Sequence, residues 1–148
     1  MMFQMGKYRK AASRRAVVAA TPWPTRWWRY HPATDFGAME VAIVRVCIAK
    51  VEILGEPRWK AALSGDAASA IGMTLAMRSE QPTLPKFDLI ATALAICACE
   101  GSAAACLVLS HVIRQLPGAG EQEARLATSW LVRAFRSVAE RDRERGGR

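Results

Sequence analysis

From residue 40 onward, apolar residues recur every three to four positions, which is the spacing of one face of an α-helix. The first segment with this pattern, Glu40–Leu54, ends at Gly55, a residue typical of helix C-termini. We therefore predict a helix here. A buried strand is the alternative, because Val41–Val44 is a continuous apolar run.

The second predicted helix, Pro57–Ser79, begins with proline at a first helical position. Gly65 and Gly72 lie inside it, and each glycine should either mark a break or have a packing reason. Small residues spaced three or four apart form a ridge along one face of this helix. They are Ala61, Gly65, Ser69, Gly72 and Ala76.

The third predicted helix extends from Thr83, a candidate N-cap, to Leu116, which precedes a Pro-Gly stop. A stripe of small or weakly polar residues shares one face, which would let a neighbouring helix approach closely. The stripe consists of Asp88, Thr92, Ala95, Cys99, Ser102, Cys106 and Ser110. Gly101-Ser102 offers the alternative of two shorter helices.

The fourth predicted helix, Glu121–Glu144, has acidic residues in its first turn and arginines at its end, as the helix macrodipole favours. Its apolar stripe is predicted to face the core. The stripe consists of Ala127, Trp130, Leu131, Ala134, Phe135 and Val138. The last stretch, ERDRERGGR, has no apolar residue, which predicts a frayed tail.

These segments predict an all-α protein, a compact bundle of four or five helices in residues 39–148. Residues 1–38 show no periodicity and several prolines, which predicts a poorly ordered basic segment. This segment is either a disordered leader or the product of a mis-assigned start, with translation beginning at Met39.

The charge of the chain is concentrated in that first segment. Residues 1–38 contain seven basic side chains and one acidic one, and so account for 6 of the net charge of +8. Aromatic and arginine side chains together can bind single-stranded nucleic acid or a protein partner. The candidate contact residues are Trp23, Arg26, Trp27, Trp28, Arg29 and Tyr30.

The segment Leu89–Ile113 is long enough to raise the question of a membrane span. Glu100 lies near its centre, where a carboxylate is costly in lipid, and no aromatic belts flank it. We therefore predict a cytoplasmic protein. A small membrane-associated protein built on Leu89–Ile113 is an alternative.

The chain contains none of the motifs GxxxxGK[ST], GxGxxG, GxSxG or HExxH. Cys97 and Cys99 would point about 200° apart on one helix, so they cannot share a metal there. We predict that all four cysteines, Cys47 included, are buried, reduced thiols. We expect no catalytic residue, metal site or cofactor.

Glu100 and His111 are the one plausible acid–base pair outside the basic segment, and they would meet only if the third helix folded into a hairpin. The function that these observations favour is a non-enzymatic interaction or regulatory module, with a protein partner or self-association. A nucleic-acid-binding protein that uses the basic aromatic segment is the main alternative.

Overall fold

The computed structural model describes residues 23–77 and 84–147. In these two ranges the chain forms six α-helices and two 3-10 helices, and no strand. The 3-10 helices are Pro24–Arg29 and Ala33–Asp35. The α-helices are α1 Ala38–Ala49, α2 Trp59–Leu63, α3 Ala67–Ala76, α4 Pro85–Cys99, α5 Ala103–Arg114 and α6 Glu121–Gly146. The prediction of an all-α protein is confirmed.

Helix α4 forms the centre of the bundle, and eleven of its fifteen residues are buried. It contacts α1, α2, α3, α5 and the first 3-10 helix. Its small side chains allow these neighbours to approach from every side. No helix in the described part of the chain is long and apolar enough to cross a membrane.

Helices α5 and α6 form the most extensive helix pair. Leu109 and Ile113 of α5 and Trp130 of α6 are completely buried. The ring of Phe36 packs against Trp130 with 5.4 Å between the ring centres. Large side chains fill the core around α4 as well, where Phe87, Ile90 and Leu94 are buried beside four alanines of the same helix.

Two glycines divide the long helices that the apolar pattern predicts. Gly101 has a φ of +104° and separates α4 from α5, and the Ser102 hydroxyl caps α5 by accepting from the Ala105 amide. Gly65 has a φ of +96° and separates α2 from α3. The alternative of a split third helix is confirmed. The second predicted helix is broken at Gly65, one of the two glycines at which we allowed a break, because a left-handed residue cannot continue an α-helix.

The first and last predicted helices are both present, but one ends earlier and the other later than predicted. The first segment is a helix rather than a strand, but α1 ends at Ala49, and the Val51 carbonyl accepts a hydrogen bond from Trp59 Nε1 at 2.8 Å. Helix α6 begins at Glu121 as predicted. It continues through the predicted frayed stretch as far as Gly146. Thr83, the predicted N-cap, lies outside the described residues.

The basic segment is the place where the structure differs most from the expectation. Residues 23–37, here called the N-terminal arm, pack on the bundle and bury Trp28, Ala33 and Phe36. The folded unit therefore includes residues before Met39, and residues 1–22 lie outside the described part. Because prolines limit the arm to short 3-10 helices, it has no helical periodicity that its sequence could reveal.

Candidate functional site

The arginines of the N-terminal arm face a carboxylate of the same chain. Arg29 Nε donates to Asp88 Oδ1 at 2.6 Å, and Arg26 Nε lies 3.7 Å from Asp88 Oδ2. The side chains of Arg29 and Asp88 are only 13% and 12% exposed, whereas about half of Arg26 is exposed. The Arg29 guanidinium also lies 4.6 Å from the centre of the Trp28 ring. The charge of Arg29 is thus matched within the fold.

The aromatic residues of the arm divide between core and surface. Trp28 is buried against Phe87, with 5.9 Å between the ring centres. Trp27 is half-buried beside His31, and Trp23 and Tyr30 are exposed. The structure therefore uses Trp28 and Arg29 for packing. Any nucleic-acid contact by the arm would depend on the four other candidate residues, Trp23, Arg26, Trp27 and Tyr30.

Arg133 of α6 joins the arm to the end of α4. Its guanidinium donates to the Ala33 carbonyl at 3.0 Å and to the Cys99 carbonyl at 3.1 Å. The Ser129 hydroxyl accepts from the Ala33 amide at 2.9 Å. The sequence contains no local signal for this arrangement, because the partners lie 34 to 100 residues apart.

Two shallow cavities flank these contacts. One, of about 530 Å³, lies beside Arg133 and includes Glu100, which pairs with Arg45. The other, of about 520 Å³, lies beside Trp27 and includes His31, whose Nδ1 is 3.4 Å from Asp35 Oδ2. Glu100, His31 and Arg133 thus each contact another polar group of the chain.

Burial determines the chemistry of three of the thiols. It raises the pKa of Cys99 to about 11, and it also raises the pKa values of Cys97 and Cys106. These groups are therefore protonated and poorly nucleophilic near neutral pH. The prediction that all four thiols are buried is wrong for Cys47, which is exposed on α1. In residues 23–77 and 84–147, no group of three or more His, Cys, Asp or Glu could hold a metal ion.

The break at Gly101 does not bring Glu100 and His111 together as an acid–base pair. Glu100 forms its ion pair with Arg45 on α1. His111 is exposed on the outer face of α5. The two side chains therefore occupy different surfaces of the bundle.

An exposed apolar surface covers the outer side of α5 and α6. Phe135 is 66% exposed, Leu107 47% and Val138 46%, and Leu131 is half-buried between them. We call these four residues the Phe135 face. The prediction that Phe135 and Val138 face the core is wrong. Trp130 and Ala134 are buried, and the two exposed residues lie about 90° further around α6.

A hydrogen bond between α5 and α6 shows that both helices contribute residues to the Phe135 face. Arg114 Nη2 donates to Thr128 Oγ1 at 3.2 Å, which joins the exposed faces of α5 and α6 at one end. Leu107 lies two turns before Arg114, and Phe135 lies two turns after Thr128. The two helices are antiparallel, so going backward from Arg114 on α5 and forward from Thr128 on α6 moves the same way along the pair. Leu107 and Phe135 therefore lie side by side, at the same height along the two helices.

A helical wheel could have revealed this surface. Leu131, Phe135 and Val138 lie on one line along α6, and Ala127, Trp130 and Ala134 lie on another. The two lines are adjacent, so the six residues together form one broad apolar stripe in the sequence pattern.

Comparison of the chain with protein-family models, curated proteins and solved structures found no match.

Proposed function

We propose that the protein is a non-enzymatic interaction module that binds a protein partner through the Phe135 face. The observation that carries the proposal is the exposure of Phe135 beside Leu107 and Val138 on two adjacent helices. Apolar side chains that gather on a surface mark contact sites, whereas single exposed ones are common on any protein.

The surroundings of this face support the proposal. Trp130 and Leu109 are buried beneath it, so the two helices that present it are held by a packed core. Arg114, His111 and Asp142 are exposed on the same helices and provide a polar rim. A preformed helical face of this kind suits an amphipathic helix of the partner.

Comparison of surface variants tests the proposal. The tagged wild-type protein, Phe135→Ser and Val46→Ser would each be used for quantitative affinity capture from cells that express the protein. Val46 is equally exposed, at 67%, and shares an exposed apolar face of α1 with Met39 and Ile43, so Val46→Ser tests whether a loss of binding is specific to the Phe135 face. We expect a bound protein that wild type and Val46→Ser retain and Phe135→Ser loses. Identical bound sets for all three would contradict the proposal.

We further propose a cytoplasmic location for this module. All four cysteines are free, and the burial of Cys97 and Cys106 indicates that they serve as small packing groups. Free thiols are typical of reducing compartments. Fractionation of a detergent-free lysate should leave the protein in the supernatant, and recovery in the membrane pellet would contradict this location.

A further inference from the structure

We infer that a second copy of this chain occupies the Phe135 face, with the two α6 helices antiparallel about a two-fold axis midway between the levels of Leu131 and Phe135. This inference rests on the proposed function and names the partner. The residues that support it repeat at regular spacing along the whole of α6.

Residues of α6 at alternating spacings of three and four form a continuous seam, which is the spacing at which helices pair side by side. The seam lies about 90° around the helix from the buried Trp130 and Ala134, so it is available while α6 stays packed on α5. It consists of Glu121, Ala124, Thr128, Leu131, Phe135, Val138, Asp142 and Arg145.

The seam is complementary to itself in the antiparallel orientation. With Leu131 of one copy opposite Phe135 of the other, Thr128 lies opposite Val138 and the apolar centre is covered. At each end Glu121 then lies opposite Arg145, an attractive pair. A parallel orientation would place Glu121 opposite Glu121 and Arg145 opposite Arg145, so charge selects the antiparallel dimer.

Glu121, at one end of the seam, is available to pair with a second copy. Glu121 is 81% exposed, and its contact in this structure is Arg125, four residues along the same helix and 77% exposed. An exposed pair of this kind is weak, so a dimer contact can replace it. Val132, which is also exposed, flanks the seam and would lie close to Val132 of the second copy.

The size of the surface indicates how strong the dimer should be. Helix α6 has 26 residues, hence a length of about 39 Å, and a contact about 10 Å wide would cover roughly 400 Å² on each copy. This area is about half of a standard interface before α5 adds Leu107. We therefore expect a reversible dimer that dissociates in the micromolar range.

Sedimentation equilibrium of the full chain over low to high micromolar concentrations tests the dimer. Wild type and Val46→Ser should shift from monomer to dimer, and Phe135→Ser should remain monomeric with an unchanged circular dichroism spectrum. Phe135 lies outside the core, so the substitution should not prevent folding. A wild-type chain that is monomeric throughout, or Phe135→Ser that dimerises like wild type, would overturn the inference.

Charge exchange tests the antiparallel orientation. Glu121→Arg alone and Arg145→Glu alone should each weaken the dimer about 3- to 10-fold, because each places like charges together at both ends. The double variant should regain wild-type affinity. Within one chain the two residues are about 36 Å apart along α6, so this rescue requires two copies. If the loss of dimer affinity in the double variant equals the sum of the losses in the two single variants, the antiparallel pairing is excluded.

The two proposals can fail separately. If wild type is monomeric but Phe135→Ser loses a captured protein, the second copy is wrong and the interaction module stands. If wild type is monomeric and all variants capture the same proteins, both proposals are wrong.

Discussion

The N-terminal arm and the last turns of α6 differ in both regularity and burial. The arm contains only two short 3-10 helices, yet Trp28, Ala33 and Phe36 are buried. The last turns of α6 are a regular helix, yet none of the residues between Ala134 and the end of α6 at Gly146 is buried. Regular backbone structure and membership of the core are therefore separate properties in this protein.

The difference follows from what each region can contact. The arm lies over α4 and α6, which offer a carboxylate at Asp88, carbonyl and hydroxyl partners, and the rings of Phe87 and Trp130. The end of α6 extends past the start of α5, where Arg141 donates to the Gly101 carbonyl, and residues 141–147 are exposed. Burial therefore depends on neighbouring elements and not on the element itself.

The largest expected effect tests the burial of the arm. Trp28→Ala should lower the free energy of unfolding by about 3 to 5 kcal/mol, because it leaves a cavity beside Phe87. Trp23→Ala is the control, since that ring is exposed, and its effect should stay within about 0.5 kcal/mol. Urea unfolding followed by far-UV circular dichroism measures both. Equal effects would show that the arm is not part of the core.

A comparison of two phenylalanines tests both regions at once. Phe36→Ala should destabilise the fold by about 3 kcal/mol, because Phe36 is buried against Trp130. Phe135→Ala should change stability by no more than about 0.5 kcal/mol when measured on dilute, monomeric protein. Thermal unfolding at low concentration is the measurement. A large loss in Phe135→Ala would mean that α6 packs further along its length than the structure shows.

The ion pair that holds the arm should have a smaller effect. Asp88→Asn removes the carboxylate that accepts from Arg29, and we expect a loss of about 2 kcal/mol in unfolding free energy. Glu121→Gln, measured on dilute, monomeric protein, is the matched control, since it removes the exposed pair with Arg125 and should cost less than about 0.5 kcal/mol. Urea midpoints compare the two variants. Similar midpoints would show that burial does not strengthen the Asp88 pair.

The smallest effect concerns the start of α6 and depends on pH. The Gly120 amide donates to Glu123 Oε2 at 2.8 Å, which lowers the pKa of Glu123 below its ordinary value of 4.5. Because the folded value is the lower one, this stabilisation is present above pH 4.5 and is lost as the pH falls through the folded value.

Glu123→Gln should therefore be less stable than wild type at neutral pH, and the difference should shrink below pH 4.5. Paired urea titrations across this range measure it, with Glu144→Gln at the exposed end of α6 as control. A difference between Glu123→Gln and wild type that does not change with pH would contradict a role for the ionised carboxylate.

Much of the helical architecture could be predicted from spacing alone. Apolar periodicity located α1 and α6, and the acidic first turn of α6 marked its start correctly. The sequence shows glycine at both helix breaks. Only the φ values in the structure show that Gly65 and Gly101 end helices while Gly72 does not. At Gly72 an added Cβ would lie 2.9 Å from Arg58 Nη1, the far end of a flexible side chain that can shift, so this contact does not require glycine there.

The candidate surface could be predicted only in part. The sequence indicates which residues share a face of α6, but not which of two adjacent faces the bundle covers. The arginines and tryptophans of the arm likewise indicate binding chemistry without showing that Arg29 and Trp28 bind within their own chain.

The sequence by itself determined the helical class, most helix positions and the glycines at which a helix could break, because these depend on spacing and local backbone conformation. Only the tertiary structure decided that the proline-rich arm is core and that Phe135 is surface. The first outcome depends on contacts between residues about 60 to 100 positions apart, such as Arg29 with Asp88 and Ala33 with Ser129. The second depends on which face of α6 the rest of the bundle covers. Local sequence patterns carry no information about such contacts, because the burial of a residue depends on which sequence-distant element packs against it.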